Sequence, residues 1–504
     1  MRKIADVAFV SALLLVYGVN LRIGYSFQPN EQTDEPHLPT PAELQAAITE
    51  FRKVHARCIR DDIFVFPATT CDNEIERLPR VPFLYQLVLI GTQVTDNSMS
   101  KLARSDNLVS VNLRNTRITD RGVKQLAASK VWVLNLHGTH ITSESLGSLA
   151  QMERLIWLYL GQTSIGDDGL KTLAQCEGLN TLDVSKTEIT DVGLREFSKY
   201  ERLRVLNISN AAVTDRGIAD LKTPHELNAL ALAHTNITDT ALAILATTQS
   251  KLNDLILRDT AVGDAGMNDL ATLKSLQTID LSNSKITDAS LKILAQMQSL
   301  RRIDINGAKI TDDGLRFLAN NRNLETISLT RTQVTDAGLA HISTMCALVD
   351  ISCDHTQMTD AGLRHIARID SLKRLDCSHT KITDRGIQHL TGVSNLVDLY
   401  LEATCITDKA LSDIGRMHQL RLLDISHTAV TDAGLRALRN LKRLDVLNLS
   451  YTNVTDAGMV EIGHLTSLSK RAPTVSKLVL TGTRVTEAGC RDLEKSMSDC
   501  EIIR

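Results

Sequence analysis

From Leu84 onward the chain alternates between two hydrophobic rhythms. A short L-x-L piece has period two and predicts a strand, leucines pointing to one side and the intervening residues to the other. A G-L-x-x-L piece follows with the spacing of one helix face. Residues 372–390, LKRLDCSHTKITDRGIQHL, show both, with Cys377 and Ile387 in leucine positions. Between them stands Ile/Val-Thr-Asp-x-Gly-Leu or a close variant. Its Asp position falls at Asp96, Asp120, Ser143, Asp167, Asp191, Asp215, Asp239, Asp264, Asp288, Asp312, Asp336, Asp360, Asp384, Asp408, Asp432, Asp456 and Glu487. These are seventeen units, 24 residues apart in all but three intervals. Phe64 and Phe66 precede Leu87 and Leu89 by 23 residues, which places a degenerate unit ahead of the array.

A strand-plus-helix unit of this length cannot bury its own apolar side, whereas stacked units can. The pattern therefore predicts an α/β solenoid with one parallel sheet and one layer of helices. Within a unit, Thr is placed to cap the helix. Asp sits in the first turn, where the helix dipole favours negative charge, and Gly just inside it leaves room for a neighbouring coil.

These residues resemble leucine-rich-repeat proteins of the ribonuclease-inhibitor-like class, in particular bacterial exported proteins rich in I-T-D-x-G-L units. They also resemble the repeat half of F-box/leucine-rich-repeat proteins. The resemblance spans roughly residues 62 to 495 and implies a curved horseshoe, strands on the concave face and helices on the convex one. Where the family usually carries Asn or Cys after L-x-L-x-x, this chain nearly always has Thr, as at Thr92, Thr116, Thr139, Thr163, Thr187, Thr235, Thr332, Thr380 and Thr452. A hydroxyl can bond the turn backbone in the same way, so a threonine ladder is expected, broken at Ala211 and Ala308.

Ahead of the array, Met1-Arg2-Lys3 and the apolar run Val7–Val19 have signal-peptide proportions, so residues 1–26 read as a signal peptide or signal-anchor. This implies an extracytoplasmic protein, secreted or membrane-anchored. Residues 27–61 read as a linker and a capping helix. Thr40-Pro41-Ala42-Glu43 is a capping box, and Leu44, Ile48, Phe51, Val54 and Cys58 extend a helix over 41–59. Asp62–Phe66 reads as a strand, 62–495 as the array, and 496–504 as a tail. An insertion around Ser469–Pro473 lengthens the penultimate unit.

Composition narrows the function. Fifty-six Lys plus Arg against 59 Asp plus Glu leave a net charge of −3, so no nucleic-acid partner is expected. Aromatic residues are only 3%, so the core must be aliphatic. The chain carries no phosphate-binding loop, no G-x-S-x-G, no H-E-x-x-H and no paired C-x-x-C, and no segment outside the array would house an enzyme domain. The reading is a non-enzymatic scaffold that takes a protein partner on its concave face, with no cofactor or metal and with membrane contact only through the N-terminal segment. A ubiquitin-ligase adaptor and a regulator of an enzyme such as a GTPase are the alternatives. The first needs a three-helix F-box where residues 27–80 show one convincing helix.

Seventeen rungs at about 4.8 Å make a strand face about 80 Å long. Two stretches of it are candidate contact sites. Val133, Asn135 and His137 are followed on the next rung by Trp157, Tyr159 and Gly161, which places two large aromatics together. Further on, Asp350, Asp354, Asp376, Asp398, Glu402 and Asp424 surround Arg374 and Tyr400 and make a negative patch. His355, His379 and His427 occupy equivalent positions, which repetition explains more simply than metal ligation. Cys353 and Cys377 take buried leucine positions. The pairs Cys58–Cys71 and Cys490–Cys500 flank the ends of the array, where the resemblance implies disulfide clasps in an exported protein.

Overall fold

The computed structural model describes residues 39–60, 62–221, 227–465, 468, 476–497 and 500–504. The expected export segment, nearly all of the linker and the insertion at 469–473 lie outside the described residues. The chain divides into two compact units, Met1–Leu160 and Gly161–Arg504.

In the first unit, helix α1 (Pro41–Lys53) begins at the capping box. Glu43 N donates to Thr40 Oγ1 at 3.3 Å, and Thr40 N donates to Glu43 Oε2 at 2.9 Å. The helix is shorter than its periodicity suggests. His55 takes a left-handed φ of 63°, and the chain turns into β1 (Arg57–Arg60), antiparallel to β2 (Ile63–Val65). Cys58 therefore lies on a strand and not on the helix. Helix α1 closes the end of the stack with aromatics: Phe51 lies flat on Phe64 at 3.7 Å, with Tyr85 at 5.8 Å and Phe66 at 6.5 Å. Strands β3 (Tyr85–Val88), β4 (Leu108–Asn112), β5 (Val133–Asn135) and β6 (Trp157–Tyr159) continue from β2 in parallel.

The second unit repeats the arrangement. Short strands from β7 (Thr181–Asp183) and β8 (Val205–Asn207) through β18 (Val446–Asn448) and β19 (Ser476–Val479) pair in parallel with their sequence neighbours, and helices return between them. Residues expected as a tail form β20 (Cys500–Ile503), parallel to β19. The architecture is the α/β solenoid that the periodicity predicts. Its core consists of the L-x-L and G-L-x-x-L positions: Leu375, Cys377, Ile387 and Leu390 are all at 0% exposure, as are their equivalents Ile351, Cys353, Leu363 and Ile366. Each buried aliphatic contributes roughly 1.5–3 kcal/mol. Burial also pushes the Cys353 and Cys377 thiols far above their ordinary range, so both act as small hydrophobes.

Two hydrogen-bond series hold the turns. Within a turn, the Thr hydroxyl donates to the carbonyl three residues back: Thr92 to Leu89 at 2.8 Å, Thr332 to Leu329 and Thr380 to Cys377 at 2.6 Å. At Ala211 and Ala308 backbone bonds from Val213 and Ile310 remain instead. Between turns, a first-turn Asp accepts from the N–H and hydroxyl of the capping Thr one repeat later, and where Gly263 stands in place of Thr, Asp239 accepts from its N–H at 2.7 Å. Asp336 receives Thr359 N at 2.8 Å and Oγ1 at 2.6 Å, and Asp360 receives Thr383 N at 2.7 Å and Oγ1 at 2.6 Å. That same Asp explains the glycine, since a Cβ at Gly362 or Gly434 would stand 2.5 Å from the preceding turn's carboxylate. Among the described residues no disulfide joins Cys58 to Cys71 or Cys490 to Cys500, so the expected clasps are not formed. Cys71 instead starts a short helix (Asp72–Glu76), its Sγ 3.0 Å from Glu74 Oε2.

Candidate functional site

The outward residues of the strands line up across the ladder because neighbouring strands pair residue for residue, with shifts only in the first unit at Cys58/Arg60 and Tyr85/Gln86 among the described residues. Thr326, Asp350, Arg374, Asp398 and Leu422 are successive partners in one column, and Ser352, Asp376, Tyr400 and Asp424 in the next. In the first unit the same register sets Val133 beside Trp157 and Asn135 beside Tyr159. Trp157 is part-exposed, but Tyr159 and His137 are buried, at 5% and 6% exposure. Of that stretch Trp157 and Val133 are part-exposed.

The acidic stretch separates into three roles. Asp376 and Asp424 turn one oxygen back on the chain, accepting from Ser378 N and Ser426 N at 3.0 Å. Asn135, Asp183, Asn207, Asp280 and Asn448 do the same two residues ahead, which is an Asx-turn that closes each strand. Asp between the leucines is thus first a turn residue. Asp350 and Asp398 flank Arg374, whose Nε is 3.8 Å from Asp350 Oδ1 and whose guanidinium lies 4.8 Å over the Tyr400 ring. Asp354 and Glu402 stand at the strand exits beside histidines.

Burial pushes the carboxyls of Asp350, Asp376 and Asp398 upward. Arg374 opposes this at all three, and like charges oppose Arg374, from Asp398 and Asp376 at Asp350, from Asp354 at Asp376 and from Asp445 at Asp398. The same strain extends toward β10 (Asp254–Ile256), where burial raises Asp254 to about 6. On β12 (Arg302–Asp304), burial followed by the charge of Asp280 raises Asp304 to about 7. Two further bases reach the patch, Arg302 from two rungs earlier in the first column and Arg421 from outside the columns. Arg302 reaches Asp350, and Arg421, paired to Asp445 through Nε at 2.6 Å, reaches Asp398. Between Asp350 and Asp424 the columns themselves hold one base, Arg374.

The residue just before each Thr is a special position that the hydrophobic rhythm does not mark. His234, His355, His379 and His427 hold φ values of 53–55°, and Gly91, Gly138, Gly307 and Gly482 stand at 64–69°. Every one is in the left-handed region, and the sequence signal is that no β-branched residue occurs there. The turn projects these side chains as a ledge along the strand exits. On it His355 stacks on His379 with ring centres 4.0 Å apart, and His427 stacks on Tyr451 at 4.3 Å.

A family model described as "Leucine Rich repeat" matches residues 105–127, 175–198, 296–319, 320–343, 417–438 and 439–463. No curated protein sequence matches the chain. Among solved structures, that of a TLR13–ssRNA13 complex is similar over 88% of this chain and 69% of that one, at 16% identity and a TM-score of 0.51. A leucine-rich-repeat protein of Leptospira interrogans is 19% identical over 94% of this chain and 100% of its own, with a TM-score of 0.40. An internalin of Listeria monocytogenes is 21% identical over 81% and 94%, with a TM-score of 0.37. With six matched repeats, a parallel strand in each turn and a helix returning behind it, the chain carries leucine-rich repeats and folds as a leucine-rich-repeat solenoid.

Proposed function

We propose that the chain is a non-enzymatic scaffold that binds a protein partner on its strand face, with Asp350, Asp354, Asp376, Arg374, Asp398, Tyr400, Glu402 and Asp424 forming the contact. Solenoids of this type use their strand face as an extended binding surface. One observation carries the choice of site. Three neighbouring carboxyls, Asp350, Asp376 and Asp398, are all raised by burial, with too few cations close by to hold them down. A partner's Lys or Arg laid on this face would relieve that cost, so the partner surface is basic. The exposed edge of Trp157 is a second, apolar contact, with Tyr159 and His137 buried in the same stretch of the strand face.

The test is to capture partners with the chain and with an Asp350→Asn/Asp398→Asn variant over a salt series. Captured protein that elutes with salt and is lost by the variant supports the reading, and equal capture by both removes this face. Trp157→Ala probes the second contact in the same experiment.

The run Val7–Val19 behind Arg2 and Lys3 supports an extracytoplasmic place for this activity. Among the described residues no helix is long and apolar enough to cross a membrane. Fusing the first thirty or so residues to a reporter tests the location; a reporter that stays in the cytosol overturns it.

A further inference from the structure

The ledge brings together three metal-ligating groups, of which only Asp354 belongs to the contact proposed above. Asp354 Oδ1 lies 2.7 Å from His355 Nδ1 and 3.0 Å from His379 Nδ1. One carboxylate oxygen thus faces two stacked imidazoles from consecutive turns. All three donor atoms lie within 4.8 Å of one another. Two donors bound about 2.0–2.1 Å from one ion are themselves about 3 Å apart, so little side-chain movement separates this cluster from a coordination shell. The side chains keep 21%, 37% and 36% of their surface exposed, so an ion reaches them directly from solvent.

We propose that Asp354, His355 and His379 bind one divalent ion of the zinc class through Oδ1 and the two Nδ1 atoms. Two imidazole nitrogens and one carboxylate favour zinc, cobalt or nickel over calcium or magnesium, which take oxygen ligands. The ion replaces the shared hydrogen bonds: each Nδ1 gives up the proton it donates to Asp354, each ring is then neutral with its proton on Nε2, and water completes the shell. Asp376, within electrostatic reach of Asp354, adds to the negative field that favours the cation.

The fold supplies its own controls. His427 occupies the same left-handed position but stacks on Tyr451, with Nε2 3.9 Å from Glu402, and His234 Nε2 lies 3.4 Å from Asp259. Among the described residues, three donors converge only at Asp354, His355 and His379.

The experiment is calorimetric titration of the full chain with Zn²⁺, with Co²⁺ absorption as the spectroscopic readout. One equivalent binds to the parent, and His379→Asn weakens it by about tenfold or more. Asparagine suits the turn, since Asn283 holds the same conformation with φ 54°. Asp354→Ser is a second variant, because Ser378 and Ser426 fill the equivalent place on other turns, and it should lose affinity to the same degree. His427→Asn should leave affinity unchanged. If the parent shows no stoichiometric binding, or if His379→Asn and Asp354→Ser bind as the parent does, the proposal is overturned.

Discussion

Replacing Asp304 by asparagine should stabilise this protein, and should do so more at high pH than at low. Asp304 lies beside Asp280 in the parallel register of adjacent strands. Arg258 is committed to Asp280, with Nε at 3.0 Å and Nη2 at 2.9 Å from its Oδ2, so it offers Asp304 only partial relief. Burial and the Asp280 charge raise the Asp304 carboxyl from 3.8 to about 7. An acid raised in this way binds its proton more tightly folded than unfolded. Its charge therefore costs nothing below the unfolded value and a growing amount between about pH 4 and pH 7, then a constant amount above that window. At about 1.4 kcal/mol per pH unit the full cost is about 4 kcal/mol. Asp304 keeps part of its surface in water, and screening brings the usable figure to about 2 kcal/mol. Urea unfolding of the full chain and of Asp304→Asn at about pH 5, 6, 7 and 8 reads this directly. The variant's advantage should widen by about 1 kcal/mol across that range, the rest having accrued below pH 5, and level off near the top. An advantage that does not change with pH, or a parent that gains on the variant as pH rises, would refute the argument.

Asp360→Ala removes both bonds to Thr383 and should cost about 2–4 kcal/mol in thermal or urea unfolding. Asp360→Asn, which keeps one acceptor, should cost less. Gly362→Val drives its branch into Asp336, Leu339 and Met358, with Cβ distances of 2.5, 2.9 and 2.9 Å before relaxation, and should cost about 1–3 kcal/mol or more. Gly362→Ala should be milder, because Ala410 already fills the equivalent position.

The 24-residue rhythm was legible without coordinates, since periods of two and of 3.6 assign strand and helix, and the Thr and Asp of the marker announce a helix start. The first helix was overrun because Val54 and Cys58 continue the apolar spacing, while the left-handed turn at His55 has no apolar signature. The acidic patch was legible as a set of outward residues. Asp376 and Asp424 proved to be turn residues as well, and Arg421 joined the patch from a position that columns do not include. Tyr159 and His137 point outward by alternation, yet both are buried, because alternation gives a direction and not an exposure.

By itself, the order of residues determined which groups go inward and which turn follows which, because those properties depend on neighbours a few places along the chain. Only the tertiary structure decided which polar groups meet. Stacking sets residues one repeat apart side by side, so Asp360 finds Thr383, Asp304 feels Asp280, and two histidines 24 residues apart close on one carboxylate. Those distances depend on register and side-chain rotamer across turns, and a repeat read along one dimension carries neither.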